Sequence, residues 1–442
     1  MDLPLVARAD PAAVVAHRPG GPVTVARFLA DVARVAAAFP GTGPVLNICQ
    51  DRYRFMVGLG AALVSNRVSL LPASQAPETV RRLREAHPGL FALGDGPEAA
   101  VDLPRLAYPE SEQLHDPASA MPRIPADRVA AILFTSGSTG DPVPQSKTWG
   151  ALWRSGQAES ERLGLAGHAI VATVPAQHSY GLESTVLQCL VGNCAAWAGR
   201  PFYPADIAAA LAGVPGPRLL VTTPIHLRTL LDAGVALPPI DLLLSATAPL
   251  SRELAQRAEA ATGAPLHEIY GCTEAGQLAS RRTTVGDAWQ LLPGVGLDQD
   301  EDGATWACGG HVAGRILLGD RIELRADGDF LLHGRNADLI NIAGKRTSLA
   351  YLNHQLAAIP GVLDGVFHLP DGDDTDGVVR LAAAVVAPGL TPAEILAALR
   401  QRLDPVFLPR PLLWVDRLPR NATGKLTRDS LQALFANPRG KP

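Results

Sequence analysis

Short apolar runs alternate with helical patterns along the N-terminal part of this sequence, and alanine is frequent in the helical ones. The pattern predicts a helix over residues 23–38, a strand over 45–48 and a helix over 54–65, and the segments 70–72 and 79–86 repeat this order. Further strands are predicted over 129–134, 169–174, 218–222 and 242–245, and further helices over 205–212, 225–233 and 252–261. Such alternation predicts a layered α/β fold.

Towards the C-terminus the pattern changes to short strands that flank Asp327-Gly328, which predicts a hairpin. Beyond it, helices are predicted over 349–359 and 392–403, and strands over 363–368 and 378–386. We therefore expect the α/β class, with a large N-terminal domain of layered sheets over residues 1–334 and a small C-terminal α+β domain over 338–442. The hinge between them is expected at about residues 335–338.

Composition excludes several classes of function. The 442 residues carry a formal net charge of −4 and 19% of them are charged, which does not favour a nucleic-acid-binding protein. No apolar run reaches the ~18 residues of a membrane span, and the N-terminus lacks the pattern of a signal peptide. The five cysteines are scattered without metal-ligand spacing, which suits a reducing compartment, so we expect a cytoplasmic protein.

A loop rich in glycine and hydroxyl groups follows the strand predicted over residues 129–134. It reads Thr135-Ser136-Gly137-Ser138-Thr139-Gly140. Glycines allow such a loop to turn its backbone N–H groups and hydroxyls toward one anion, as phosphate-binding loops do. It is not a Walker A motif, because no Gly-Lys-Ser/Thr closes it. Taken alone, the hexapeptide also fits an ordinary Ser/Gly turn.

Three further motifs follow in a fixed order. They are Tyr270-Gly271-Cys272-Thr273-Glu274, residues 334–341 with Gly344-Lys345-Arg346, and residues 419–428. With the 135–140 loop, this set resembles the adenylate-forming (ANL) family of acyl-CoA synthetases, peptide-synthetase adenylation domains and firefly luciferases. The resemblance implies that a small carboxylic acid is activated with ATP and Mg²⁺ and passed to a phosphopantetheine thiol, after the mobile C-terminal domain rotates.

The same resemblance assigns the nucleotide and metal positions. The 135–140 loop would hold phosphates, while Glu274 and Thr139 would bind Mg²⁺, which prefers one or two carboxylates beside phosphate oxygens. Asp320 matches the carboxylate that accepts from the ribose hydroxyls. The remaining nucleotide-binding positions are Lys147, Ser245, Ala246, Tyr270, Gly271, Thr273, Arg335 and Lys425. Without the resemblance, Glu274 would be an exposed carboxylate at a helix start and Asp320 a turn residue.

The catalytic positions implied by the resemblance are Lys425, His178 and Glu274. A flexible lysine charge can bridge the attacking carboxylate and the ATP phosphates. His178 matches the family position beside the carboxylate, although a lone histidine is also common as a structural residue. His226 and Ser245 are expected to line the acid pocket with it.

Three departures from the family pattern bear on function. The lysine that usually follows the glycine-rich loop is Val143 here, and Lys147 is the candidate to replace it. Ala337 stands near the hinge where an aspartate or lysine is usual, with Asp338 beside it. The chain is also shorter than typical members, chiefly before residue 128.

We therefore expect an ATP-dependent acid ligase that charges the thiol of an acyl carrier protein, with free coenzyme A as the alternative acceptor. The compact N-terminal region and residues 142–149 are similar to small bacterial ligases of xanthomonadin and aryl-polyene pigment clusters, which implies an aryl acid such as hydroxybenzoate. A catalytically impaired pseudo-ligase is a further alternative, motivated by Val143 and Ala337. A P-loop kinase is disfavoured because the Gly-Lys-Ser/Thr sequence is missing.

Overall fold

A computed structural model describes residues 1–72, 75–96, 101–110, 120–136, 142–335, 339–342, 345–370, 380–421 and 424–436. In chain order the strands are β1 (Asp2–Pro4), β2 (Val14–Arg18), β3 (Gly21–Thr24), β4 (Val45–Asn47), β5 (Ser69–Leu71), β6 (Phe91–Gly94), β7 (Arg105–Ala107), β8 (Arg123–Pro125), β9 (Val129–Ser136), β10 (Pro142–Thr148), β11 (Ala169–Ala172), β12 (Ala195–Trp197), β13 (Arg218–Thr222), β14 (Leu242–Ser245), β15 (Leu266–Cys272), β16 (Gly276–Arg281), β17 (Gln290–Leu291), β18 (Val295–Gln299), β19 (Thr305–Gly309), β20 (Arg315–Leu317), β21 (Asp320–Leu324), β22 (Phe330–Arg335), β23 (Leu339–Ile342), β24 (Lys345–Ser348), β25 (Asp364–His368), β26 (Ala382–Val386) and β27 (Leu412–Trp414).

The helices are α1 (Val25–Ala38), α2 (Arg52–Val64), α3 (Pro77–Ala86), α4 (Trp149–Leu163), α5 (Ser179–Gly181), α6 (Gln188–Leu190), α7 (Pro204–Ala212), α8 (Pro224–Asp232), α9 (Arg252–Thr262), α10 (Leu349–Ala357), α11 (Pro392–Arg400) and α12 (Arg428–Ala436). A π-helical segment (Leu182–Leu187) connects α5 to α6, and a short 3₁₀ helix covers Pro405–Phe407.

Two large sheets organise the N-terminal part. The first has the strand order β10-β9-β5-β4-β6-β7 and is parallel except for the β10–β9 pair at its edge. The second has the order β17-β16-β15-β14-β13-β11-β12-β2-β3 and is parallel from β15 to β2. One apolar cluster contains residues of both sheets together with α1 and α2, so the layers share a core.

Smaller sheets follow in the chain. They are β18-β19-β20, β21-β22, β23-β24 and β25-β26-β27, and β1 pairs with β8 near the N-terminus. From residue 340 onward a separate apolar cluster forms around Leu352, Leu356, Phe367 and Leu399. The predicted boundary at 335–338 falls largely on residues outside those described.

The ends of the first helices show why they begin where they do. The predicted helix over 23–38 begins instead at Val25, because residues 21–24 form β3 and the Thr24 hydroxyl accepts a hydrogen bond from the Arg27 N–H (3.3 Å). In α2, Asp51 accepts from the Arg54 N–H (2.9 Å). Within the described residues, no helix combines the length and the apolar character needed to cross a bilayer.

Candidate active site

The predicted site residues gather at one edge of the nine-stranded sheet. Ser245 ends β14, Thr222 ends β13, and Tyr270 lies two residues before the end of β15. Because these strands are parallel, their carboxyl ends meet at the same edge, where open α/β sheets bind ligands. Ser245 is fully buried and its hydroxyl has no partner among the described residues.

The motif around Tyr270 covers the end of β15 and the first residues of the turn that leads to β16. Gly271 lies in β15, and this position requires glycine because a Cβ atom there would lie 2.3 Å from the Gly276 carbonyl oxygen. Gly276 does lie at the turn, with φ of +83°, a conformation that favours glycine. Burial raises the pKa of the Cys272 thiol to about 11, which agrees with a structural rather than a nucleophilic cysteine.

Tyr270 and Asp320 are brought together. The Tyr270 hydroxyl donates to Asp320 Oδ2 (2.8 Å), and the Tyr270 ring packs against Trp289 and Phe330. Arg335, at the end of β22, is the register partner of Asp320 in the β21–β22 pair, so the backbones of these two predicted residues are neighbours. The expected hairpin is therefore observed, and it carries both residues to the Tyr270 side of the site.

A small pocket lies around His178. Its wall is formed by Val174, Pro175, His178, Tyr180, Gly181, Thr223 and Thr247. The Tyr180 hydroxyl donates to the Leu244 carbonyl (3.0 Å), which fixes α5 to β14. Thr247 has a φ of +78°, which is unusual for a β-branched residue and is typical of constrained sites.

His178 is close to the predicted catalytic lysine. Burial, followed by the positive charges of Lys425 and Arg200, lowers the pKa of His178 to about 4. A Cβ atom at Gly424 would lie 3.3 Å from Ile225 Cδ1 of α8, so the segment that carries Lys425 packs on the N-terminal part of the chain. His178 is therefore neutral at neutral pH, and the positive charges that act on it are those of Lys425 and Arg200.

Hydrogen bonds hold the segment that carries Lys425. Arg420 forms an ion pair with Asp364 (2.8 Å) and donates to the Gly424 carbonyl (3.0 Å). The Lys425 N–H donates to Asn421 Oδ1 (2.9 Å), and the Asn421 N–H donates back to the Lys425 carbonyl (2.9 Å). These contacts join Asn421 to Lys425 and Arg420 to Gly424.

His226 faces the same region from α8. Its Nδ1 lies 2.8 Å from the Thr173 hydroxyl, and its ring packs edge-on against Phe202 (5.3 Å between centroids). Burial, together with the charge of Arg200, lowers the pKa of His226. The structure thus places His226 at the carboxyl ends of the parallel strands, near Thr173.

Lys147 reaches the Glu274 motif. Its ammonium donates to the Glu274 carbonyl (2.7 Å), and burial lowers the pKa of Lys147. The residue at the usual lysine position, Val143, is exposed. The ammonium of Lys147 is thus bonded to the Glu274 carbonyl within the protein. This bond does not support the expected role of Lys147 as a phosphate ligand.

The glycine-rich loop is described only at its flanks. Thr135 and Ser136 end β9, Pro142 and Val143 begin β10, and the two strands pair antiparallel. The predicted phosphate and metal residues Gly137, Ser138, Thr139 and Gly140 lie outside the described residues. The prolines of β10 are tolerated because β10 is an edge strand.

The fit to Mg²⁺ rests on Glu274. Its side chain is half-buried at the tip of the β15–β16 turn. In the part of the chain that the structure describes, no three His, Cys, Asp or Glu side chains converge as a metal site. One protein carboxylate suits a magnesium ion whose other ligands are phosphate oxygens and water.

The sequence analysis missed a buried polar cluster beneath this turn. Glu159 and Glu183 are both buried, and Glu183 accepts from the Ser179 and Ser155 hydroxyls (2.6 and 3.0 Å) and from the Gln277 N–H (3.1 Å). The available signal was the four-residue spacing of Ser179 and Glu183, directly after His178. On a helix this spacing places the two side chains one turn apart on the same face.

Comparison with known proteins identifies the family. Residues 7–301 match the family described as AMP-binding enzyme. The chain is 31% identical over 310 residues to a 4-coumarate–CoA ligase of Rhodobacter capsulatus, a match that covers 68% of this chain and 75% of that protein. It is 26% identical over 374 residues to a 2-succinylbenzoate–CoA ligase of Bacillus cereus, covering 76% of each.

Solved structures confirm the expected fold class. An o-succinylbenzoate CoA synthetase from Bacillus subtilis, in complex with the acyl-adenylate intermediate OSB-AMP, superposes with a TM-score of 0.81, covers 98% of each chain and is 20% identical. ATP-bound MatB from Rhodopseudomonas palustris gives a TM-score of 0.79 at 21% identity and 97% coverage of each chain. The chain belongs to the AMP-binding enzyme family and is an AMP-forming acid–thiol ligase.

Proposed function

We propose that this enzyme adenylates an aryl carboxylic acid, such as a hydroxybenzoate, and transfers the acyl group to the phosphopantetheine thiol of an acyl carrier protein. The observation that carries the proposal is that Lys425, from a distant part of the chain, comes close enough for its charge to act on His178, a residue of the small pocket, while Gly424 packs against Ile225 of α8. Tyr270 and Asp320 meet at the same edge of the sheet. A carboxylate bound near His178 would therefore face a nucleotide held on the Tyr270 side.

In the first half-reaction, an oxygen of the acid attacks the α-phosphorus of ATP, and the bond to the bridging oxygen breaks to release pyrophosphate. Lys425 balances the negative charge that gathers on the carboxylate and the α-phosphate. His178 is neutral and can donate one N–H to the acid without competing for charge. Mg²⁺, when bound through Glu274, neutralises the leaving phosphates.

In the second half-reaction, the thiol sulfur attacks the acyl carbonyl carbon and AMP leaves. We propose that the C-terminal unit over residues 338–442 rotates about residues 335–338 between the two steps, which would remove Lys425 from the pocket. Residues near Gly344-Lys345-Arg346 would then line the route of the thiol. The packing of Gly424 on Ile225 and the effect of the Lys425 charge on His178 support the assignment of the observed arrangement to the first step.

The choice of an aryl acid is supported by the relatives. Those named for 4-coumarate, 2-succinylbenzoate and salicylate all act on acids that contain an aromatic ring. The wall of the pocket beside His178, to which Thr223 and Thr247 contribute, is mostly apolar, which suits the face of an aromatic ring.

Two acceptors compete in this proposal. Exposed arginines of the C-terminal unit (Arg400, Arg402, Arg410 and Arg417) would attract an acidic carrier protein, although the phosphates of coenzyme A would be attracted as well. The relatives are named as coenzyme A ligases, which favours free coenzyme A as the alternative acceptor.

The test is pyrophosphate release with ATP, Mg²⁺ and a panel of benzoates, cinnamates and fatty acids, first without a thiol and then with coenzyme A or a holo carrier protein. We expect a hydroxybenzoate to stimulate release, and the holo carrier protein to raise turnover more than coenzyme A does. Higher turnover with coenzyme A would show that coenzyme A is the acceptor instead of the carrier protein. Preference for fatty acids would refute the aryl proposal. ATP binding without release for any acid would favour the pseudo-ligase.

A further inference from the structure

The turn that carries Glu274 is short and sharply defined. Cys272, the last residue of β15, pairs with Gly276, the first residue of β16, so residues 273–275 reverse the chain. Glu274 lies at the tip. We call residues 273–277 the metal turn, because the proposed function assigns Mg²⁺ to Glu274.

One end of the metal turn is held from β10. The Lys147 ammonium donates to the Glu274 carbonyl (2.7 Å), and this bond uses the backbone of Glu274, not its carboxylate. The nearby charge of Glu183 opposes the effect of burial on the pKa of Lys147. A charged donor bonded to a carbonyl in a partly buried site gives a stronger hydrogen bond than a neutral one.

The other end of the metal turn is held from the π-helical segment. Glu183 is 3% exposed, and its Oε2 accepts from the Gln277 N–H (3.1 Å). The serines at 155 and 179 donate to the same carboxylate, so its position is fixed on both oxygens. A Cβ atom at Gly276 would lie 3.3 Å from Glu183 Oε2 and 3.3 Å from His311 Nε2, so no room remains for the turn to shift toward this cluster.

We propose that Lys147 and Glu183 are positioning residues that clamp the metal turn and thereby set where the Glu274 carboxylate meets Mg²⁺–ATP. The proposal rests on the proposed function. Its physical basis is that Lys147 and Glu183 come from two different elements and bond the backbone at residues 274 and 277, on either side of Gly276. Groups that orient a metal ligand in this way commonly change metal affinity by about 10–100-fold when they are removed.

The decisive variant is Lys147→Met, which keeps the length of the side chain and removes its charge. The readout is the rise in melting temperature that ATP produces at increasing Mg²⁺, measured without any acid. We expect the Mg²⁺ concentration for half of the effect to rise about 10-fold or more. The Mg²⁺ dependence of pyrophosphate release should shift in the same direction, while Lys147→Arg, which retains a cation, should restore much of the wild-type value.

Ser160→Ala is the matched control, because it removes a hydrogen bond of α4 to the Gly192 carbonyl (3.2 Å) without touching the metal turn. It should leave the Mg²⁺ dependence unchanged. If Lys147→Met does not fold, Glu183→Gln tests the other end of the clamp, since it removes the charge and keeps an oxygen that can accept from Gln277.

A lower melting temperature with an unchanged Mg²⁺ dependence would show that these residues act on stability alone, and it would overturn the proposal. Failure of the proposed function gives a different pattern. In that case no acid releases pyrophosphate from the wild type, whereas the binding measurement needs no acid and still reports on the clamp.

Discussion

At the scale of single residues, two buried carboxylates share one glutamine. The Gln277 backbone N–H donates to Glu183 (3.1 Å), and its side-chain amide donates to Glu159 Oε2 (3.1 Å) and accepts from the Ser184 hydroxyl (2.7 Å). Glu159 Oε1 lies 2.7 Å from the Ser184 oxygen, and Glu159 Oε2 accepts from the Gln188 amide (2.7 Å). Two negative charges this deep in the core would repel each other, so the protein favours a proton on one of them.

Glu159 is the group that holds this proton. Burial, reinforced by Glu183 and opposed by the hydrogen bonds, raises the pKa of Glu159 to about 8. Because the pKa in the folded protein exceeds that of an unfolded glutamate, the stabilisation is complete at low pH and is lost as pH rises toward 8. We expect the free energy of unfolding to fall by at most about 1.4 kcal/mol per pH unit across this range.

The variant Glu159→Gln mimics the protonated acid and should remove this part of the pH dependence. Melting curves between about pH 5 and pH 8 would compare it with the wild type. Glu253→Gln, at an exposed position of α9, controls for the loss of one carboxylate. Melting profiles of wild type and Glu159→Gln that run parallel across this range would contradict the assignment of the proton to Glu159.

At the scale of secondary-structure elements, the sequence predicts strands that are buried and flanked by helices. The strands over 218–222 and 242–245 are observed with the predicted bounds, because β-branched and leucine runs between helical patterns have no other compact solution. The strand β10 was missed, since two prolines and polar residues hide an edge strand. The helix α4 was also missed, because Gly150 and Gly156 interrupt its helical pattern.

The sequence predicted the site residues that belong to a motif, and it did not predict the contacts that depend on packing. Tyr270 and Asp320 were assigned separately from the family pattern, and the structure shows that they are bonded to each other. Lys147 was assigned to phosphate only because of its place in the sequence, whereas its partner lies 127 residues away. No local pattern indicates that Glu159 and Gln277 share a core, because pairing of this kind depends on the stacking of α4 against the β15–β16 turn.

The β15–β16 turn gives a prediction at this scale. Gly276→Ala places a methyl group 3.3 Å from Glu183 Oε2 and His311 Nε2 at a φ of +83°. Gly263→Ala is a matched control, since its φ is +72° and nothing lies within 4 Å of an added Cβ atom. Both variants should lose about 1–2 kcal/mol from backbone strain, and Gly276→Ala about 1 kcal/mol or more beyond that from crowding. Equal losses in thermal unfolding would show that the turn can yield.

At the scale of the whole molecule, α8 of the N-terminal part contacts the C-terminal part at two positions, and β22 contacts α10. Gly424 packs against Ile225 of α8, and the Arg228 guanidinium donates to the Leu363 carbonyl. Both contacts use α8, so this helix receives the C-terminal unit in the observed arrangement. The apolar cluster around Leu352 and Phe367 would give that unit its own core during the proposed rotation.

This arrangement predicts that the two half-reactions depend differently on Lys425. Lys425→Ala should reduce acid-dependent pyrophosphate release by about 10²–10³-fold or more, because the charge that faces His178 is lost. Transfer from a supplied acyl-adenylate to the thiol should be nearly unchanged, since the proposed rotation carries Lys425 away before that step. Arg380→Ala, which removes an exposed charge from the same unit, should spare both reactions. Equal loss of both half-reactions in Lys425→Ala would mean that the lysine stays in the pocket throughout, and the rotation would then have to be abandoned.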